Sequence, residues 1–428
     1  MINITNTSLT FKQEPLIAPF GFKGGYLSEL WQVVAKIEDG ESVGIGVGVQ
    51  SVLWSDSEIF KSHTQYGGNM LMYLITEFAL QKLNGKSFKT PFDALDYVKD
   101  DAIEYAKRIT GRSDMRETFV MNALVAVDNA MWHLYSKKMK TEKFIEVVPE
   151  EYQTALIYEH KKLCNIPLIT YGTSEEKIHD LLQEGYFLLK IKIGSDPEGD
   201  NDPDKMLAWD KQRLATIHKI AGAYATEYTD SGKILYYIDA NGRYDTIDRM
   251  KNFLCYADEI GELEQIVLLE EPFSESNKID VSSLPCRVAA DESAHSVKDV
   301  EERIDLGYRA IALKPIAKTM SESLRILNEA TKRGVVCFCA DLTVNPLMVE
   351  INKNFAARIA PIPGMKIGAV ESNGAQNYKN WDKMYCYHPM QNMNFVKAQN
   401  GLFELDKKFF DTSGGIFRNS DYYLNLFV

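Results

Sequence analysis

Between residues 167 and 372, eight short apolar runs recur, each bounded by Gly, Pro, Asn or Asp and nearly all followed by a longer amphipathic stretch. They are PLITY (167–171), FLLKIKI (187–193), ILYYIDA (234–240), IVLLEE (266–271), RVAADE (287–292), AIALKP (310–315), VVCFCAD (335–341) and KIGAVES (366–372). Strands alternating with helical patterns predict an α/β architecture built on parallel strands. Eight such units are the number of a TIM-like (β/α)8 barrel rather than of an open doubly wound sheet.

The chain upstream has a different texture. LWQVVAKIEDGESVGIGVGV alternates apolar and polar positions on either side of a turn at 38–41, which predicts a hairpin. Helical patterns follow at 69–83, 94–109 and 115–135, and the small residues of ALVAVDNAMW predict close packing of the last helix against a neighbour. The expected organisation is an α+β domain over 1–140, an insertion or linker over 141–165, the barrel over 166–390, and a C-terminal segment, 391–428, that packs back on the first domain. Such a division suits a chain of 428 residues. In GSDPEGDNDPDK, the acids between Asp196 and Asp204 lack the glycine and terminal glutamate of a calcium loop, so this segment reads as a solvated loop.

With 48 Lys+Arg against 60 Asp+Glu, the net charge of −12 argues against nucleic acid or an anionic membrane as partner. The polar N-terminus lacks a signal-peptide pattern and no run approaches ~18 apolar residues, so a soluble cytoplasmic protein is expected. Six cysteines without a CxxC pair read as reduced and mostly buried.

In a barrel of this kind, polar residues at the C-terminal ends of apolar strands carry the chemistry. Five consecutive strands have them: Lys190 and Lys192 on the second, Asp239 on the third, Glu270 on the fourth, Asp291 on the fifth and Lys314 on the sixth. A buried strand tolerates an ionised group only opposite a counter-charge or a metal. Asp239, Glu270 and Asp291 should converge at the barrel mouth as a hard oxygen site of the kind that holds Mg2+ and leaves positions for substrate oxygens. Lys192 and Lys314 stand four strands apart in a ring of eight, facing each other across the mouth, and Lys190 lies one layer below Lys192. A desolvated lysine near a second cation moves toward use as a base near neutral pH.

The ordered set LLKIKIG, YIDANGRY, LLEEPF, AADESA and IALKP resembles the enolase superfamily, in particular its muconate lactonizing enzyme subgroup within the mandelate racemase and muconate lactonizing enzyme family, and is dipeptide-epimerase-like. AVDNAMW at 126–132 is similar to the long helix that precedes the barrel in that family. The resemblance implies that the α+β domain caps the barrel, that Asp239, Glu270 and Asp291 bind Mg2+, that Lys192 and Lys314 form the acid/base pair, and that Lys190 contacts the substrate carboxylate. The expected reaction is abstraction of a proton α to a carboxylate through an enediolate, with the metal stabilising the charge. The expected partner is a small-molecule carboxylate, and the expected assembly a homo-oligomer.

Two bases on opposite faces favour racemisation or epimerisation of an amino-acid or dipeptide derivative, while one base and a β-leaving group would give dehydration, of an acid sugar or of the o-succinylbenzoate synthase type. A catalytically silent, ligand-binding barrel is the reading from another class. Strand seven, VVCFCAD, lacks the histidine of the mandelate racemase subgroup, and its Asp341 either touches substrate or caps the helix beginning near Asn345. Strand eight offers Glu371-Ser372-Asn373 where dipeptide epimerases carry Asp-x-Asp, leaving Glu371 to pair with an ammonium and Asn373 beside it. In the family a mobile loop of the capping domain sets specificity; here it corresponds to PFGFKGGY, with Phe20, Phe22 and Lys23 as substrate-binding candidates and Gly24 and Gly25 as hinge. Outside the first shell, Asn241 shares a face with Asp239, and Glu292 points the other way from Asp291 by strand alternation.

Overall fold

A computed structural model of the chain describes the backbone of residues 1–22 and 25–428 and the side chains outside 20–24. The chain opens on a three-stranded antiparallel sheet of Asn6–Phe22, Gly25–Glu38 and Val43–Gln50. The second and third strands are the expected hairpin, turning where Asp39 Oδ1 accepts the amides of Glu41 and Ser42 at 3.1 and 2.7 Å. The first strand was not expected: it is an edge strand, exposed or half-buried from Asn6 to Gln13, and so lacks the apolar alternation that signals a strand.

Three helices, Ser57–Leu83, Pro91–Thr110 and Glu117–Met139, complete this part. The first starts earlier than its apolar periodicity because Asp56 caps the amides of Glu58 and Ile59, and it bends at Thr64, where φ is 64°. The second opens on a capping box of Thr90 and Asp93 with Pro91 in its first turn. The small residues of the third meet a matching stripe of glycines on Val43–Gln50. A Cβ on Gly46 would stand 2.0 Å from the Ala126 carbonyl oxygen, and one on Gly44 2.2 Å from that of Ala130, so helix and sheet touch backbone to backbone.

The second sheet has ten strands, in the order Leu402–Glu404, Lys162–Ile166, Gly368–Glu371, Val336–Cys339, Ala310–Leu313, Val288–Ala290, Ile266–Glu270, Leu235–Asp239, Leu188–Lys192, Leu168–Ile169. All neighbours are parallel except Leu402–Glu404, which runs antiparallel to Lys162–Ile166. The expected first strand, 167–171, is thus two short strands beginning at Lys162 and interrupted at Pro167, which has no amide to donate. Its halves take different partners, the strands Gly368–Glu371 and Leu188–Lys192, so one stretch of chain touches both flanks of the curled sheet. The other seven strands fall inside their expected runs. Helices follow the strands at Glu175–Gln183, Pro203–Ala221, Ile247–Glu259, Val297–Asp305, Met320–Lys332 and Pro346–Ala356, whereas Ile266–Glu270 is followed by an irregular connection rich in Ser.

The acidic loop after the second strand behaves as a solvated turn: Asp202 caps the helix at Pro203, and Lys205 pairs with Glu198 and with Asp200, the latter at 2.6 Å. The end of the chain returns to the first sheet. Asn380 and the Tyr387 hydroxyl donate to the fully buried Glu14 carboxylate at 3.0 and 3.2 Å, and the Tyr423 hydroxyl donates to the buried Gln32 Oε1 at 2.8 Å. Among the described residues no helix is long and apolar enough to cross a membrane.

Candidate active site

One cleft of about 530 Å³ collects the polar strand ends: Lys190, Lys192, Asp239, Asn241, Glu270, Asp291, Glu292, Lys314, Asp341, Glu371 and Asn373. Its roof is Leu27, Leu30, Ser51 and Trp54 from the N-terminal sheet and the turn after it. Lys23 and the side chains of Phe20 and Phe22 lie outside what the structure describes.

Around the mouth the groups follow strand order. Lys192 Nζ donates to Asp239 Oδ2 at 2.6 Å and to Asn241 Oδ1 at 2.5 Å. Lys190, one layer down, is buried and stands 3.1 Å from each of Asp239, Glu270 and Glu371, with the Tyr237 hydroxyl at 3.0 Å. Lys314 pairs with Asp291 Oδ2, and its Nζ lies 4.6 Å from the centre of the Trp54 ring.

Lys314 is not pushed toward the neutral amine that the sequence suggests for a desolvated lysine. Burial disfavours the charge on Lys314, but Asp291, Glu270 and Glu292 outweigh it and raise its pKa above the ordinary value. Burial likewise opposes ionisation of Asp239, yet Lys190 and Lys192 bring its pKa down to about 2. Glu270 is pushed up to about 7, by burial first and by Asp291 second, against the pull of Lys190.

Glu292 corrects an expectation. The strand ends at Ala290, so Asp291 and Glu292 lie in the turn beyond it and alternation no longer sets their directions. Both line the cleft, and one oxygen each from Glu270, Asp291 and Glu292 lies within 4.8 Å of the others. Asp239 stands outside that group of three, its Oδ2 held by lysines. Asn241 joins the two sets: its backbone amide donates to Asp239 Oδ1 at 3.0 Å and its Nδ2 to Glu292 Oε1 at 3.1 Å.

These residues fit a divalent cation. Six carboxylates line the cleft against three ammonium groups, an excess of three negative charges if all ionise. Burial pushes Glu270 and Asp341 both up to about 7, so a positive charge among these oxygens would favour their ionised forms. Clustered carboxylate oxygens are hard donors suited to Mg2+.

Asp341 does not cap the following helix; Asn345 does, accepting the Met348 amide at 3.0 Å. Asp341 instead accepts the Asn373 amide at 2.8 Å, while Glu371 accepts the Asp341 amide at 3.0 Å, so the seventh and eighth strand ends are stitched together inside the cleft. Asn373 Oδ1 accepts from Thr343 Oγ1 at 2.8 Å.

Three contributors were missed. Lys318 is fully buried and donates to the Asp291 carbonyl at 2.6 Å and to its Oδ1 at 3.2 Å; the signal was its place four residues after Lys314, on the turn of helix that Pro315 opens. Glu271 accepts the Asp291 amide at 2.7 Å and the Ser293 hydroxyl at 3.1 Å, fixing the turn that carries Asp291 and Glu292. Trp54 reaches the site only through the docking of the N-terminal part, which rests on Asp128 accepting the Ser321 amide at 3.0 Å and on the ion pair of Arg116 with Glu275.

The family described as enolase C-terminal domain-like matches residues 174–388. No curated protein sequence matches the chain. Among solved structures, a dipeptide epimerase from Enterococcus faecalis V583, in complex with Mg and the dipeptide L-Leu-L-Tyr, is 18% identical over 94% of this chain and 97% of that one, with a TM-score of 0.64. The N-succinyl Arg/Lys racemase from Bacillus cereus ATCC 14579 is 15% identical over 94% and 93%, with a TM-score of 0.65. The substrate-liganded L-Ala-D/L-Glu epimerase from Bacillus subtilis is 18% identical over 89% and 92%, with a TM-score of 0.63. At these identities the likeness is one of fold.

Proposed function

Because this chain belongs to the enolase C-terminal domain-like family, within the enolase superfamily of racemases, epimerases and lyases, we propose that it is a Mg2+-dependent epimerase or racemase acting α to the carboxylate of an amino-acid or dipeptide derivative. The observation that carries the reading is the arc Lys192, Asp239, Glu270, Asp291, Lys314, which places an amine at each end of a run of carboxylates along consecutive strands of one cleft. In this reading the curled sheet is a closed (β/α)8 barrel over about residues 162–390, its first strand beginning before the expected boundary at 166, with residues 1–140 as its cap, 141–161 as linker, and 391–428 as a closing segment.

Glu270, Asp291 and Glu292, with Asp239 beside them, would hold the ion, and a bound Mg2+ would supply positive charge to offset the negative charge that develops on the substrate carboxylate. The remaining work belongs to the chain. With the carboxylate oxygens engaged elsewhere, Lys192 Nζ and Lys314 Nζ are released from their ion pairs, one to take the α-proton and the other to return a proton on the opposite face. Lys190, fixed by Glu270, Glu371 and Tyr237, presents a buried positive charge toward the substrate carboxylate. Trp54, Leu27 and Leu30 keep bulk water from the carbanionic carbon. One amine would suffice for dehydration; the second favours epimerisation.

The test is α-carbon deuterium incorporation in D2O across dipeptides, N-acyl amino acids and aldonic acids, alongside thermal unfolding with and without Mg2+. Exchange with epimerisation of an amino-acid derivative, and a Mg2+-induced stabilisation lost in Asp239→Asn, are expected. Exchange confined to aldonic acids with loss of water would replace this reading by dehydration, and absence of both exchange and Mg2+ stabilisation would overturn it.

A further inference from the structure

The inner cleft opens into an outer vestibule that shares Leu168, Lys192 and Asn241 with it and adds Arg243, Tyr171 and Gln376. Arg243 is mounted rigidly. The Arg243 amide donates to the Ala240 carbonyl at 3.0 Å across Asn241 and Gly242, whose φ values of 44° and 74° make the tight turn that an Asn-Gly pair adopts without strain. The turn is pinned to the neighbouring loop by the Gly242 amide on the Glu271 carbonyl at 2.6 Å and the Tyr244 amide on the Pro272 carbonyl at 3.0 Å. The arginine stem lies where a side chain of residue 194 would be: a Cβ on Gly194 would stand 2.5 Å from that of Arg243. The same turn carries Asn241, which holds Lys192 at 2.5 Å, so the guanidinium is built onto the support of the reacting amine.

Among the described residues the guanidinium of Arg243 has no ion-pair or hydrogen-bond partner. The carboxylate that feels its charge, Asp210, is fully buried, and its oxygens are taken by the Gly194 amide at 2.8 Å and the Tyr244 hydroxyl at 2.9 Å. Asp196, the acid that lines the vestibule among the described residues, faces the Asn201 amide at 3.3 Å. A guanidinium on an anchored stem, lining the same vestibule as Lys192, offers a fork of donors that matches a carboxylate.

We propose that the vestibule is a second anion subsite, in which Arg243 grips a carboxylate at the far end of the substrate from the carbon that exchanges its proton. This rests on the α-proton chemistry proposed above and makes the substrate a dicarboxylate. The distal group is supplied either by an acidic side chain of a dipeptide or by the free end of an N-succinyl amino acid.

The test compares the wild type with Arg243→Met, which keeps the stem against Gly194, and Arg243→Lys, using α-deuterium exchange on L-Ala-L-Glu against L-Ala-L-Gln and on an N-succinyl against an N-butyryl amino acid. The wild type should favour the acidic member of one pair, which identifies the source of the anion. Arg243→Met should raise KM for that member by roughly ten- to hundredfold, leaving its neutral partner unchanged, with partial recovery in Arg243→Lys. In parallel, glutarate should raise the melting temperature of the wild type more than butyrate does, and Arg243→Met should remove that difference. Exchange that is indifferent to the distal charge, or equal losses on both members of a pair, overturns the subsite and leaves the epimerase reading standing. Absence of exchange on every compound overturns that reading, and the glutarate comparison then decides the subsite by itself.

Discussion

The Nζ of Lys314 lies 4.6 Å from the centre of the Trp54 ring, so a residue of the N-terminal part covers an ammonium at the end of a strand of the ten-stranded sheet. Neither half of the chain makes this contact alone. Trp54→Ala should lower kcat/KM about 2- to 30-fold, the range a partly desolvated cation–π contact allows, while Trp54→Phe should retain most of the activity. Steady-state kinetics on both variants checks this, and equal losses in the two would show that the ring face is not what matters.

Lys192 and Lys314 make separable contributions. Each alanine variant should lose epimerisation by roughly 10²- to 10⁴-fold, the usual range for a positioned acid or base. Each should still exchange the α-proton of one epimer with D2O, and the two variants should retain opposite epimers, because the surviving amine serves one face. Proton NMR of both epimers in D2O distinguishes this from a single-base reaction, in which one variant would lose all exchange and the other almost none.

His133 gives a pH dependence remote from the site. Burial, with a smaller push from Lys137, lowers its pKa from 6.5 to about 3, so the folded protein keeps the ring neutral where the unfolded chain protonates it. A histidine with a depressed folded pKa costs stability as pH falls below the unfolded value, and the loss is complete only below the folded one. Between pH 7.5 and 5 its share should be roughly 2 kcal/mol. Urea unfolding of the wild type and His133→Asn at the two pH values isolates it, since Glu262 and Asp210, raised to about 8 and about 7 by burial, titrate alike in both proteins. The variant should show the smaller fall.

Gly46→Ala should cost roughly 3 kcal/mol or more, because its Cβ would stand 2.0 Å from the Ala126 carbonyl oxygen and 2.2 Å from the Ala130 amide nitrogen, and backbone cannot step aside as a side chain can. Gly85→Ala, at a glycine with open space around it but a φ of 75°, should cost only the strain of that backbone. Urea denaturation of the pair measures the difference, and equal costs would mean that helix and sheet can move apart.

Sequence and structure agree where chemistry is tied to regular strands. Lys190, Lys192, Asp239 and Glu270 terminate apolar runs, and a buried strand admits such groups only where they meet, so their convergence was legible. Legibility failed where strands end. Glu292 was misdirected because the fifth strand stops at Ala290, and Asp341 was half-assigned to a cap that Asn345 provides one turn later. Trp54, Leu27 and Leu30 carry no local mark of their role, because what places them is the docking of two distant parts of the chain. The strand Asn6–Phe22 escaped for a different reason: its exposed side needs no apolar residues.

The bonds that bring Asn380, Tyr387 and Tyr423 onto Glu14 and Gln32 join residues 366 to 391 positions apart. A ribosome therefore releases the N-terminal sheet long before the donors for its two buried acceptors exist. Until residues 380–423 have emerged, that sheet must either wait hydrated or borrow a chaperone's surface, and contacts of such long separation make the final annealing slow. Removing residues 380–423 would thus be felt first in the strands that carry Glu14 and Gln32, hundreds of positions away.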